Sequence, residues 1–110
     1  MKDLSADAPS RTVPVDPSKL AIMRQAMEWG FEGPWLKWFK IPGLRVGGKT
    51  GTAEYQGPTD EKGNLPTHGW FTGFAPADNP EITVTVFVES GSGTNDASPI
   101  GARIIRRYFH

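Results

Sequence analysis

The chain has 110 residues, enough for one small domain with a modest core. Twelve basic residues balance twelve acidic ones, which excludes the strong positive field of a typical binder of nucleic acid or anionic lipid. The absence of cysteine excludes a disulfide framework, and no apolar run reaches the roughly 18 residues that a membrane-spanning helix needs. The first residues lack the apolar segment of a signal peptide, so no targeting signal is expected.

The first predicted element is a helix. Residues 1–15 are polar and predict a flexible lead-in to a single domain over 16–110. Asp16 and Pro17 predict the helix start, because Asp accepts hydrogen bonds from free amides and Pro suits the first turn. Gly30 predicts its end. Apolar residues that recur at helical spacing support the helix: Leu20, Met23 and Met27.

Three strands are predicted next, at about 44–55, 68–75 and 82–88. The third is the clearest, because β-branched residues alternate along it. The turn residues at 77–80 predict that the last two strands form an antiparallel hairpin. The glycines and serines of 90–95 predict a flexible link.

Ser98-Pro99 predicts the start of a final helix, with an apolar face formed by Ile100, Ile104, Ile105 and Tyr108. The expected fold class is therefore α+β. A three-stranded antiparallel sheet is flanked by an N-terminal and a C-terminal helix.

The most informative motif is Lys49-Thr50-Gly51-Thr52, in the first predicted strand. Lys-Thr-Gly is one of three signatures of penicillin-binding proteins and class A β-lactamases. The other two are Ser-x-x-Lys, which holds the nucleophile, and a Ser-x-Asn type. None of the six serines has a lysine three residues on or an asparagine two residues on. The motif would thus form one side of an acyl-transfer site, and the nucleophilic serine of that site is not among these residues.

Three segments together resemble class B penicillin-binding proteins of the elongation type. Residues 47–54 resemble the third catalytic motif and its strand. Residues 68–80 resemble the strand and turn that follow it, and residues 97–103 resemble the start of the terminal helix. The resemblance covers about residues 16–109 and corresponds to the last part of the family's transpeptidase domain. It implies a partial penicillin-binding transpeptidase fold.

The resemblance also implies roles for the motif residues. Lys49 would bring positive charge toward the site and help orient the substrate carboxylate. The hydroxyls of Thr50 and Thr52 would be the available hydrogen-bond donors, and Thr52 would contact that carboxylate. The backbone N–H of Thr52 would be one of two oxyanion-hole donors. Gly51 would allow a ligand backbone to approach the strand edge. No catalytic residue is expected in this chain, because the nucleophile is absent.

The first functional hypothesis is a portion of a D,D-transpeptidase that cross-links peptidoglycan, inactive alone. In the complete domain its partners would be a peptidoglycan stem peptide or a β-lactam, at a periplasmic or extracytoplasmic location. The portion itself is expected to self-associate or to bind a complementary half, and no nucleic acid is expected. The alternatives are a standalone binding module of this fold without catalysis, and an unrelated α+β scaffold that carries the tripeptide by chance.

Other candidate sites are weaker. His68 and His110 have no Cys or paired carboxylate at ligand spacing, so we expect no metal and no cofactor. His68 is expected to pack at a strand edge. An aromatic group at 29–39 either covers the sheet or forms an exposed surface for a partner: Trp29, Phe31, Trp35, Trp38 and Phe39.

Overall fold

The structure is a computed structural model and describes residues 11–33 and 40–110. It contains two helices, three strands and one helical turn: α1 (Pro17–Glu32), β1 (Gly47–Glu54), β2 (Thr67–Ala75), β3 (Ile82–Val88), the Gly93–Ala97 turn and α2 (Ser98–Phe109). The predicted α+β class is confirmed. No helix in these described ranges is long and apolar enough to cross a membrane.

The three strands form one antiparallel sheet in the order β1-β2-β3. β1 pairs with β2 from Gly47 opposite Phe74 to Glu54 opposite Thr67. The β2–β3 hairpin pairs in the same manner. The predicted three-stranded antiparallel sheet and its hairpin are therefore confirmed. β1 begins three residues later than its sequence suggests, because residues 44–46 form a loop that is not paired with β2.

The core lies on one face of the sheet, between the sheet and the two helices. Phe31 at the end of α1 meets Phe71 at the centre of β2, with ring centroids 5.9 Å apart. From α2, Ile105 is completely buried in the same cluster. The loop before β1 adds Ile41 and Val46, both almost fully buried. The core is small and centres on Phe71.

Helix α1 begins as predicted and ends later. Asp16 caps it by accepting the Ser18 N–H at 2.8 Å. The helix passes through Gly30 and ends at Glu32, because the chain leaves helical geometry only at Gly33. Leu20 and Met23, whose spacing supports the helix, are exposed. Only the last turn of α1 reaches the sheet, so the helical spacing of apolar residues in the earlier turns is not used for burial.

Helix α2 buries a different face from the one predicted. Ile105 is buried as expected, whereas Ile100, Ile104 and Tyr108 are about half exposed. The buried face otherwise consists of small residues: Ser98, Gly101 and Ala102. A Cβ at Gly101 would lie 2.2 Å from the Phe71 ring. Small residues let the helix backbone approach that ring, and this close approach decides which face is buried.

The predicted flexible link is wrong for its second half, since Gly93–Ala97 forms a helical turn capped by Ser92. Of the aromatic group, Phe31 lies in the core while Trp29 is 67% exposed. The other three members fall at 34–39, outside the described residues, as do residues 1–10 of the lead-in.

Candidate functional site

The motif lies on an outer strand of the sheet. Lys49, Thr50, Gly51 and Thr52 all belong to β1, and β2 is its single strand neighbour in the described ranges. The opposite edge of β1 is open in the sense that no described strand pairs with it. The structure brings all four predicted site residues together because they are consecutive on one strand.

The side chains of the motif alternate between the two faces of the sheet, as in any strand. Lys49 pairs with Thr72 on the outer face. Thr50 pairs with the buried Phe71, and Thr52 with Gly69, on the face that carries the core. A ligand along the open edge of β1 can therefore be reached by the lysine from one side and by threonine hydroxyls from the other.

Lys49 is exposed, and its ammonium group donates a hydrogen bond to the Thr50 carbonyl of its own strand. This contact keeps the positive charge beside the motif. It leaves the ammonium with further hydrogen-bond donors, because a lysine carries three. The lysine is thus available to an anionic group at the strand edge.

Thr52 makes a contact that the sequence did not reveal. Its Oγ1 accepts a hydrogen bond from the Gly93 N–H at 3.1 Å. Gly93 is buried, and it opens the helical turn that precedes α2. The serines and glycines around Gly93 predict a hinge. Its packing against the motif strand is seen only in the folded structure, where residues distant in sequence come together.

A second network holds the start of the same segment. The Ser90 N–H donates to His68 Nδ1 at 3.1 Å, and the Ser90 hydroxyl lies 2.9 Å from the Tyr55 hydroxyl. The Tyr55 and His68 rings stack 4.1 Å apart. Ser90 adopts a left-handed backbone with φ of 54°, which a serine rarely adopts without such support. His68 therefore packs near the start of β2, the central strand, where its Nδ1 serves as a hydrogen-bond acceptor.

The outer face of the sheet carries further aromatic side chains beside Lys49. Trp70 and Phe87 are 45% and 49% exposed, with ring centroids 4.6 Å apart. The Thr72 and Thr85 hydroxyls hydrogen-bond across the strands at 3.1 Å. This face thus presents apolar and polar side chains to solvent.

No described serine is arranged as an activated nucleophile. Each hydroxyl takes part in a local structural hydrogen bond: Ser18 with Asp16, Ser90 with Tyr55, Ser92 with the Asn95 N–H, and Ser98 with the Thr94 carbonyl. In residues 11–33 and 40–110, no three His, Cys, Asp or Glu side chains are grouped to hold a metal ion.

A cavity of about 320 Å³ lies between α1 and the chain that leads into β1. Positively and negatively charged side chains and one aromatic ring line it, among them Arg24, Glu28, Trp29, Arg45 and Asp78. Arg45 and Glu28 neutralise each other in a two-point ion pair. None of the four motif residues lines this cavity.

Residues 5–110 match the family model described as the penicillin binding protein transpeptidase domain. Among curated proteins, the chain is 37% identical over 87 residues to the peptidoglycan D,D-transpeptidase MrdA of Haemophilus influenzae, which covers 71% of the chain. It is 42% identical over 71 residues, or 59% of the chain, to the peptidoglycan D,D-transpeptidase PbpA of Mycobacterium tuberculosis. The chain spans 13% and 14% of the lengths of these two relatives.

Solved structures show the same similarity. Penicillin-binding protein A of M. tuberculosis, a ceftriaxone acyl-enzyme complex, superposes with a TM-score of 0.73 at 33% identity, over 87% of the chain and 22% of that structure. PBP2 of Pseudomonas aeruginosa, in complex with WCK 5153, superposes with a TM-score of 0.73 at 28% identity, over 96% of the chain and 23% of that structure.

Proposed function

The chain belongs to the penicillin-binding protein transpeptidase family, and from this premise we propose that it supplies the Lys-Thr-Gly wall of a D,D-transpeptidase site. The site would cross-link peptidoglycan, outside the cytoplasm where peptidoglycan lies. The observation that carries the proposal is the placement of Lys49-Thr50-Gly51-Thr52 on the open edge of β1.

The chemistry of this edge suits a peptide that ends in a carboxylate. Lys49 contributes a positive charge from the outer face, and Thr52 contributes a hydroxyl from the other. The Thr52 backbone N–H would serve as one oxyanion-hole donor; removing one such donor typically costs about 10²–10³ in rate.

Gly51 supports the approach of a ligand to this edge. A Cβ at Gly51 would meet only the Trp70 Cβ, at an ordinary distance of 3.4 Å. Packing among the described residues therefore does not require glycine at this position. A ligand backbone that lies edge-on against β1 would require it.

The nucleophile would come from residues other than these 110, because no Ser-x-x-Lys is present. In the complete site, the serine oxygen would attack the acyl donor and form an ester while the amine leaves. A second amine would then take the acyl group and release the serine. In this scheme the present chain binds and polarises the acyl donor without bonding to it.

The incomplete site is tested with a fluorescent penicillin. We expect the 110-residue chain to form no covalent adduct, because no serine lies beside a lysine base. Intact-mass spectrometry after long incubation is the measurement. A stable, stoichiometric adduct would contradict the proposal that the nucleophile is supplied from elsewhere.

The binding role is tested by NMR titration of the chain with N-acetyl-D-alanyl-D-alanine. We expect shifts in β1 amides that weaken in Lys49→Ala and persist in Lys62→Ala, a matched loss of an exposed lysine in the 55–66 loop. Shifts confined to the strands around Trp70 and Phe87 would favour the second candidate, a binding module that uses the aromatic outer face.

We also propose that β3 pairs with a further strand, from a complementary half or from a second copy. Among the described residues, β3 has β2 as its single strand neighbour. No lysine or proline interrupts Ile82–Val88 to protect its outer edge. The open row of backbone groups supports such a partner.

A further inference from the structure

The contact between Gly93 and Thr52 joins two segments that are 41 residues apart in the chain. Gly93 is buried, so its N–H needs an acceptor within the protein. The Thr52 hydroxyl oxygen is that acceptor, at 3.1 Å. The motif strand thus depends on a residue outside the motif.

This contact changes what the Thr52 hydroxyl can offer to a ligand. A threonine hydroxyl has one O–H donor and two acceptor lone pairs. One lone pair already faces the Gly93 N–H, so the hydrogen must point elsewhere. Thr52 makes no other side-chain hydrogen bond within the described residues, and it is exposed. Its hydrogen is therefore free for an acceptor at the strand edge.

Position 93 also requires the absence of a side chain. A Cβ at Gly93 would lie 2.4 Å from the Gly51 carbonyl oxygen and 2.8 Å from the Trp70 carbonyl oxygen. A Cβ at Gly69 would likewise lie 2.3 Å from the Ser92 carbonyl oxygen. These contacts are with backbone atoms that cannot swing away. The turn and the sheet therefore approach each other through two glycines.

Local hydrogen bonds hold the turn in this position. The Asn95 N–H donates to Ser92 Oγ at 3.0 Å, and the Ser92 N–H donates to Asp96 Oδ2 at 2.7 Å. The Thr67 hydroxyl donates to the Gly91 carbonyl at 3.0 Å and ties the same segment to β2. The Gly93 N–H is thus aimed at Thr52 before any ligand arrives.

We propose that Gly93 and the turn that it opens are positioning elements of the site, which orient the Thr52 hydroxyl as a hydrogen-bond donor toward the carboxylate of the acyl-donor peptide. The inference rests on the proposed function, because it assumes that a carboxylate binds at β1. The turn touches no reacting atom and acts through Thr52.

The hydrogen bond itself is tested by amide hydrogen exchange in the 110-residue chain. Thr52→Val removes the acceptor, and we expect the Gly93 N–H to exchange about fivefold faster or more, the equivalent of one ordinary hydrogen bond. Thr52→Ser keeps the oxygen and should restore slow exchange. Unchanged exchange in Thr52→Val would overturn the inference.

The role toward the ligand is tested with N-acetyl-D-alanyl-D-alanine and its C-terminal amide. We expect the acid to bind more tightly than the amide, and Asp96→Ala to reduce that preference about fivefold by loosening the turn. Glu61→Ala removes an exposed carboxylate from the 55–66 loop and should leave the preference unchanged.

The outcomes separate the two proposals. If the acid binds at β1 and Asp96→Ala keeps the full preference, the positioning role is wrong and the proposed function stands. If the Gly93 bond is present but neither acid nor amide shifts the β1 resonances, the proposed function fails, and the carboxylate role fails with it.

Discussion

At the scale of single residues, three side chains act as hydrogen-bond acceptors for backbone N–H groups. Asp16 accepts bonds at the start of α1, Asp60 accepts them within the 55–66 loop, and Thr52 accepts one at the site. Both aspartates have a pKa below the usual range, because hydrogen bonds favour the charged carboxylate. The stronger consequence is for α1, which has few buried residues to hold its start.

The pKa of Asp16 gives α1 a pH dependence. Hydrogen bonds from the Ser18 hydroxyl, then from the Ser18 and Lys19 amides, lower this pKa. A lowered folded-state pKa means that the stabilisation is present above the unfolded value of about 3.9 and is lost as pH falls through the folded value. We therefore expect the first turn of α1 to fray below about pH 4.

The measurement is the titration of the Ser18 and Lys19 amide resonances. Asp16→Asn keeps an accepting oxygen but does not titrate, so its first turn should not respond to acid. An acid response of equal size in Asp16→Asn would show that other groups cause the fraying.

At the scale of elements, two helical glycines differ in how closely other residues pack against them. Gly101 in α2 lies against the Phe71 ring, where an added Cβ would come within 2.2 Å. Gly30 in α1 has its nearest such neighbour, the Gly48 carbonyl oxygen, at 3.9 Å. The first glycine is needed for packing and the second is not.

Alanine at each position should therefore change stability in opposite directions. Gly101→Ala overpacks a buried ring that cannot swing into solvent, and we expect a loss of about 1–3 kcal/mol in the free energy of unfolding. Gly30→Ala should raise it by about 0.5–1 kcal/mol, because alanine loses less backbone entropy in a helix. Urea denaturation followed by circular dichroism measures both. A neutral Gly101→Ala would mean that α2 can move away from the sheet.

The motif strand also combines a feature that the sequence predicts with a contact that it does not. β1 is predicted from its sequence and paired as expected with β2. Thr52 on this strand, however, accepts a hydrogen bond from the Gly93–Ala97 turn, an element that the sequence presents as a flexible link. The strand and the turn are therefore in direct contact, although the motif includes only the strand.

At the scale of the whole molecule, one strand edge and one helix side have no partner among the described residues. The outer edge of β3 has no strand partner in the described ranges, and α2 exposes Ile100, Ile104 and Tyr108 along one side. Burying one such side chain typically contributes about 1.5–3 kcal/mol. This gain is large beside a usual domain stability of about 5–15 kcal/mol.

We therefore expect the isolated chain to self-associate, most simply as a two-fold dimer. Sedimentation velocity over a wide concentration range should show a mass that rises with concentration. Thr83→Lys places a charge on the exposed side of β3 and should weaken association, whereas Thr59→Lys adds the same charge to the 55–66 loop and should not. A monomer at every concentration would favour the standalone binding module.

Much of this architecture could be predicted because its signals are local. Alternating β-branched residues define β3, and turn residues at 77–80 join it to β2 as a hairpin. Asp16-Pro17 defines the start of α1, and Ser98-Pro99 that of α2. The motif residues lie on one strand for the same reason, since neighbours in sequence remain neighbours on a strand.

The remaining features depend on contacts between distant segments. The buried face of α2 follows from Gly101 meeting Phe71, and not from the apolar spacing along the helix. The Thr52 hydroxyl receives its partner from Gly93, which composition alone would assign to a hinge. The local spacing of residue types does not predict which distant backbone segment will approach which glycine. Those close approaches arise only when the sheet, the turn and the helices pack together, because they join segments that are far apart in the chain.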